Sequence, residues 1–586
     1  MIRTVSFRHF SSFGAAAVLA AAVLAGPAPG SARAGEVVAP GPSAIGNYLA
    51  GRHAQAEHDL PAAVTFLKAA LRELPDAPDL LRRTFILMVI EGRIADALPL
   101  AKRLLKKRPK APIANLTLAA EALREGDPKA LAARLKRQPE NGINGFTRPV
   151  LEAWSLAAGK KTDAALKALK PLDGNAGSQG LYNLHLALVL DFAGRKKDAE
   201  AAYRKIAKSE NGLSFRLAQH MGHFLERQGR ADEARAVYEQ YVEENLGSKL
   251  LDVAFQRLKA KVKPKRLITG ARDGAAEALF NIANSLRQQR ARETALVLGR
   301  LALYLKPAFP VAQVMVADIL EDDQRYAEAN VIYEAIDPAS PFRVSADLRR
   351  ANNLNELKQT EPAVKLLKDL AQRRPTDPEP MSTLGTLLRR HERWTEAIEA
   401  YSGAIERVGT IEKRHWRMLY SRGIVLERAK RWAEAERDFL KALEFEPDQP
   451  YVLNYLGYSW VDQGVHLERA LEMIHKAVKL RPRDGYIIDS LGWVYYRLGK
   501  YKKAALELER AVEIRPQDPV INDHLGDAYW RVGRKLEARY QWQRSLSLDP
   551  TDEVAAEVKK KLEQGLPPAK PLGKPDAAAS PAPDKT

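Results

Sequence analysis

The feature that most constrains this chain is a spacing. Leu456-Gly457, Leu491-Gly492 and Leu525-Gly526 recur at steps of 35 and 34, and Pro447, Pro482, Pro516 and Pro550 at steps of 35, 34 and 34. Tyr495 and Tyr529 stand three residues after a Gly, and Ala504 and Ala538 twelve residues after it. Carried backwards, the small-residue position falls at Gly51, Phe85, Ala119, Ala153, Ala187 and Gly222. It continues at Ala283, Ala317, Ala351, Gly385, Gly423, Gly457, Gly492 and Gly526, with one step of 61 between Gly222 and Ala283. The second alanine recurs in thirteen of these fourteen units, at Ala470 after a one-residue insertion, and only the third unit departs, with Leu131. A fixed period of this length signals one small helical or strand unit repeated, so domains cannot be counted from the 586-residue length.

The order aromatic, Leu-Gly, Tyr, then Ala, an aromatic and Pro resembles the tetratricopeptide repeat. The resemblance implies two antiparallel helices per unit, A and B. The small residue of A and the alanine of B then mark the closest approach of the two backbones. A larger side chain there strains the pair by about 1–3 kcal/mol. Proline ends helix B because it lacks the N–H and clashes with the preceding turn. One hairpin cannot bury its own apolar face, so neighbours stack into a continuous core. The expected fold is all-α: a right-handed superhelical solenoid of fourteen helix-turn-helix repeats. Thr551–Gln564, with the apolar stripe Val554, Val558, Leu562 and Gly565 after it, reads as a capping helix.

Met1–Ala34 has the parts of a secretory signal: Arg3 and Arg8, the apolar run Phe13–Ala25, and a small-x-small site at Ala32-Arg33-Ala34. The run is short for a bilayer span. Uncleaved, it would serve as an anchor; cleaved, it leaves a mature chain of net charge +16 from the full-length +19. The expected location is the periplasm, secreted across the inner membrane. The chain has no cysteine, which excludes disulfides, thiolate metal sites, a cysteine nucleophile and a lipid-modified N-terminal cysteine. The expected organisation is 1–34 signal peptide, 35–244 N-terminal array, 245–275 basic irregular insertion, 276–550 C-terminal array, 551–564 capping helix and 565–586 a disordered Pro/Ala/Lys tail.

Lys249–Leu258 suits a lone helix. Residues 257–266 then hold six basic residues and no acid: Arg257, Lys259, Lys261, Lys263, Lys265 and Arg266. The alternation suits an extended segment with one charged face. It reads as a strip for an anionic partner, a hinge between two arrays, or a solvated loop. A second basic cluster, Lys102–Lys110, sits where cations complement a helix dipole.

In this repeat family helix A lines the inner groove, at positions −6, −3, +1, +4 and +5 from the small residue, which share one helical face. In the last three repeats these include Tyr451, Asn454, Tyr458 and Asp462; Tyr486, Asp489, Trp493, Tyr496 and Arg497; and Asp523, Asp527, Trp530 and Arg531. Trp, Tyr and Arg anchor interfaces, and Asn can pair with a peptide backbone. They form the candidate partner-binding groove. The middle repeats offer Asn284, Arg287, Asn352 and Asn355 and an acidic spot of Asp318, Glu321 and Asp322. The early repeats offer the apolar Val150, Trp154, Leu184 and Leu188, suited to an apolar partner.

No phosphate-cradling motif is present. Gly174, Gly177 and Gly180 read as a linker, and His220 and His223, without a third ligand, as a surface pair. No catalytic residue, metal or cofactor is expected, nor nucleic acid as a partner. The chain therefore reads as a binding protein and not an enzyme.

The last hundred residues, with LNYLGYSWVDQG, DSLGWVYYRLGKYKKAALELER and VINDHLGDAYWRVGRKLEARYQWQR, look like the C-terminal repeats of a proteobacterial envelope family of many-repeat proteins. Members of that family are often outer-membrane lipoproteins. Some bind a carboxyl-terminal processing protease and bring it cell-wall hydrolases. The resemblance implies a periplasmic scaffold or adaptor for proteins. Lacking cysteine, this chain departs from the lipoprotein pattern, so membrane association is expected only through partners. The alternative reading is a direct binder of an anionic envelope polymer, peptidoglycan or lipopolysaccharide.

Overall fold

The computed structural model describes residues 39–138, 141–208 and 213–568. The expected signal segment and the tail from 569 onward lie outside these residues. The described chain forms thirty α-helices and two short 3-10 turns, with no strand among the described residues. Twenty-eight of the helices pair into the fourteen expected hairpins, from Ala44–Ala56 with Leu60–Glu73 to Pro519–Arg531 with Lys535–Leu546. The capping helix spans Asp552–Gln564, one residue shorter than expected, and stops at Gly565 (φ 71°).

The small positions behave as the repeat requires. All fourteen are buried, and the alanines twelve or thirteen residues on are 0% exposed. A Cβ on Gly492 would stand 2.5 Å from Leu508 Cγ, and one on Gly526 2.5 Å from Trp542 Cδ1. The notch left by glycine is thus filled by the large residue sixteen positions later, on helix B. In the second repeat the sizes are exchanged: Phe85 holds the small position and Ala101 stands sixteen residues on, both fully buried. That exchange keeps the layer volume and explains why Phe85 is tolerated.

A second register lies in the turns. Seven residues after the small position, the backbone enters the left-handed region in every repeat. Seven repeats place glycine there, among them Gly499 (φ 71°) and Gly533 (φ 86°), and seven do not, among them Glu392 (φ 56°) and Lys430 (φ 60°). This is the left-handed helix end that turns A into B.

The chain divides into two compact units, residues 1–139 and 140–586. The first holds repeats 1–3, where the basic cluster at 102–110 is partly paired: Lys107 with Asp76 and Arg108 with Asp79, each at 3.1 Å. The second holds repeats 4–14 and the cap. The sequence suggests a division at the 245–275 insertion, but the contacts run across it. The lone helix expected at Lys249–Leu258 is present in the insertion, at Asp252–Lys259, so Arg257 and Lys259 are helical. Helix A of repeat 7, Ala271–Gln288, has 18 residues, the longest helix among the described residues. Its N-terminal half turns back onto helix A of repeat 4, Asn144–Ala158. The insertion is thus a return loop that folds the chain into its own groove.

Candidate protein-binding groove

The apolar stretch of the early repeats is already filled. Val150 and Trp154 are 0% exposed and Leu188 2%, and Leu184 packs against the same core. A Cβ on Gly274 would stand 2.0 Å from the Trp154 ring, so only glycine admits this approach. Trp154 Nε1 donates to His185 Nδ1 (3.0 Å). Arg216 Nε donates to Glu277 Oε1 (3.0 Å), and Arg216 Nη2 lies 2.9 Å from His220 Nε2. The expectation that this face holds a foreign apolar partner is therefore corrected: its occupant is the chain's own helix. The signal was present in the extra length of repeat 7's first helix and in the small run Gly274-Ala275-Ala276.

His220 and His223 are likewise not a surface pair, being 4% and 7% exposed. Burial, with the nearby Arg257, pushes His223 down to about 3. Burial pushes His185 down to about 4. No group of three His, Asp or Glu side chains is arranged to hold a metal among the described residues.

The middle repeats spend their polar residues on one another. Arg287 pairs with Asp318 (3.2 Å), Arg349 pairs with Asp318 (3.1 Å) and with Glu321, and Arg292 pairs with Asp322 (3.7 Å). Asn355 Oδ1 lies 2.6 Å from His391 Nε2, whereas Asn352 is exposed.

At the C-terminal end, helices A of repeats 12, 13 and 14 (Pro450–Gln463, Gly485–Arg497, Pro519–Arg531) lie side by side. Repeat 14 is largely taken by the cap. Lys561 Nζ lies 2.8 Å from both Asp523 oxygens and 2.9 Å from Asp527 Oδ2, and Trp542 Nε1 donates to Asp527 Oδ1 (2.9 Å). Burial raises Asp527, against the pull of Lys561. Gly565 packs on Trp530, and Arg531 Nη1 donates to the Pro567 carbonyl (2.6 Å). Asp523, Asp527, Trp530 and Arg531 therefore seat the capping helix and the residues after it; the two aspartates are buried there, whereas Trp530 and Arg531 stay partly exposed.

Repeats 12 and 13 remain open. Tyr451 is 42% exposed and Tyr486 51%, each with a guanidinium over its ring, Arg481 at 5.9 Å and Arg515 at 5.0 Å. Trp493 is stacked between Tyr496 (4.9 Å) and His524 (4.2 Å). His524 Nδ1 lies 2.9 Å from Asp489 Oδ1; burial works against its charge, but the Asp489 carboxylate outweighs it and raises the imidazole. Asp489 is thus a support for Trp493's neighbour and is itself buried. Arg497 Nη1 donates to Asp462 Oδ1 (2.9 Å), and Arg531 Nε donates to the Tyr496 hydroxyl (3.2 Å). Tyr458 is half-buried, and burial with the nearby carboxylates of Asp489 and Asp462 raises its phenol. Two polar atoms of this surface, Trp493 Nε1 and Asn454 Oδ1, are buried without a hydrogen-bond partner among the described residues. One is a donor and the other an acceptor. The open groove is thus smaller than the sequence suggests: Tyr451, Asn454, Tyr458, Tyr486, Trp493 and Tyr496, held by the Arg497–Asp462 and His524–Asp489 pairs.

Comparisons with known proteins agree with the repeat. Sequence profiles described as tetratricopeptide repeat match residues 215–246 and 382–450, and one described as TPR repeat matches residues 492–533. A TPR repeat-containing protein of Pseudomonas aeruginosa is 40% identical over 87 residues, 15% of this chain and 15% of its own length. A tetratricopeptide repeat protein of Parabacteroides merdae is 15% identical, with a TM-score of 0.36 over 43% of this chain and 98% of its own. Yeast Tom70 is 13% identical, with a TM-score of 0.34 over 89% of this chain and 95% of its own. The spacing, the hairpins and the matched profiles converge: the chain is an all-α protein built of tetratricopeptide repeats.

Proposed function

We propose that this chain is a non-catalytic scaffold whose repeats 12 and 13 hold an extended segment of a partner protein. The observation that carries this reading is the open aromatic surface, on which Tyr451 and Tyr486 stand 42% and 51% exposed on neighbouring helices. The aromatics supply area with little side-chain entropy to lose. In the fuller form of the proposal the scaffold works in the periplasm and presents cell-wall hydrolases to a carboxyl-terminal processing protease. The signal-like pattern of Met1–Ala34 and the likeness of the last hundred residues to the envelope family support that form. No helix among the described residues is long and apolar enough to cross a membrane.

The test is capture of partners from envelope extract by the full chain, with and without Tyr451→Ala and Tyr486→Ala together. These rings are half exposed, so the variant keeps its melting behaviour. The reading predicts loss of a captured protein, by tenfold or more if the rings act as interface anchors worth about 2 kcal/mol. Unchanged capture refutes it.

A further inference from the structure

We infer that the return loop is a docking surface for an anionic phospholipid bilayer, contacted directly by this chain. The loop is fixed at both ends by basic residues used internally. Arg257 Nε donates to Glu226 Oε2 (2.9 Å) and its Nη2 to Glu226 Oε1 (2.6 Å), inside the core. Arg266 Nη1 donates to the carbonyls of Asp191 (3.2 Å) and Phe192 (2.9 Å), at the end of repeat 5's first helix. Pro264 is buried between them. Arg257 thereby leaves the basic strip that the sequence suggests, Arg266 stays exposed on it with its charge unpaired among the described residues, and the two hold the rest of it in place.

What they hold out is Lys259, Lys261, Lys263 and Lys265, all exposed. Among the described residues no acid lies within ion-pair distance of any of the four. The same loop carries apolar side chains in water: Val262, between two of the lysines, is 58% exposed, Val253 43%, and Leu246, in the turn that precedes the loop helix, 90%.

The charge alone fits any polyanion. The apolar tips select among them. A soluble anionic polymer gives Val262 and Leu246 nothing to enter, whereas a bilayer takes ammonium groups at its headgroups and apolar tips just beneath. Lysine, a hydrated point charge, suits a diffuse field of phosphates better than one bidentate site.

The experiment is sedimentation of the full chain with vesicles of phosphatidylcholine alone or with phosphatidylglycerol, at rising salt. Polyglutamate serves as the soluble polyanion. The expected result is retention by the anionic vesicles only, weakening as salt shortens the screening length. Lys259, Lys261, Lys263 and Lys265 changed together to Gln weaken it several-hundredfold, about fivefold per lysine. Leu246→Ser with Val262→Ser, lysines intact, weakens vesicle binding and leaves polyglutamate binding unchanged. No retention by anionic vesicles overturns the inference. So does retention that the four-lysine variant keeps. Vesicle binding indifferent to the two Ser changes overturns it in favour of a soluble polyanion. None of these outcomes touches the aromatic groove, whose variants are separate.

Discussion

Acid should loosen the second unit where repeat 7 fills the groove of repeat 4, and His185 should account for much of it. His185 is 0% exposed, and its Nδ1 accepts the Trp154 indole N–H, so the ring is neutral with its proton on Nε2. That Nε2 has no partner among the described residues, so nothing nearby rewards a second proton. Burial lowers its pKa from 6.5 to about 4. Below pH 6.5 the unfolded chain takes up a proton that the folded chain refuses. The stability from this group is therefore complete above that pH and is lost as pH falls toward 4. Linkage puts the loss at about 2 kcal/mol by pH 5. His223, lowered to about 3, adds a loss of the same sign and similar size. The assay is hydrogen exchange at the amides of Asn144–Ala158 and Ala271–Gln288 at pH 7.5 and 5.0, corrected for intrinsic exchange. The wild type should lose at least about 4 kcal/mol of protection, since His220, buried at the same place and also lowered, adds a loss of the same sign. His185→Asn keeps an acceptor for Trp154 and should lose about 2 kcal/mol less than the wild type, from a lower start. An equal loss in both proteins would refute the assignment.

Three further outcomes follow from the packing. Gly526→Leu forces a side chain into the Trp542 ring and should cost about 1–3 kcal/mol in denaturant unfolding, whereas Gly180→Ala, with open space around it, should be neutral. Lys561→Ala strips the counter-charge from two buried aspartates, so exchange of the capping helix should quicken as for a loss of about 3–5 kcal/mol. Adding Asp523→Asn and Asp527→Asn should recover part of it. Lys430→Gly, at a left-handed turn position, should raise the melting temperature for a gain of up to about 1 kcal/mol.

The hairpins were legible because they rest on local terms: a small residue, an alanine twelve further on and a turn, repeated on one chain. Even the anomaly at Phe85 was written in the sequence, in Ala101 sixteen residues later, although that pairing becomes evident only with the layer in view. The groove was legible by position but not by occupancy. Asp527 and Trp530 have the types and register of partner-binding residues, yet Lys561 and Gly565 meet them first. Trp154 and Leu188 looked open until Gly274 arrived from 120 residues away in sequence. Periodicity reports which face a side chain shares, and long-range return of the chain decides what covers that face. The same return divides the basic stretch into a buried ion pair at Arg257, an exposed anchor at Arg266 and four exposed lysines between them.

Site-specific photo-cross-linking tests the groove claim most directly. A photoreactive phenylalanine is placed at Tyr451, at Tyr486, and at Tyr540 on the last repeat's second helix, which is 61% exposed. Each full-length variant is illuminated in envelope extract. The account predicts a shared protein adduct at Tyr451 and Tyr486 and none at Tyr540. Adducts at Tyr540 with none at Tyr451 or Tyr486 would contradict it.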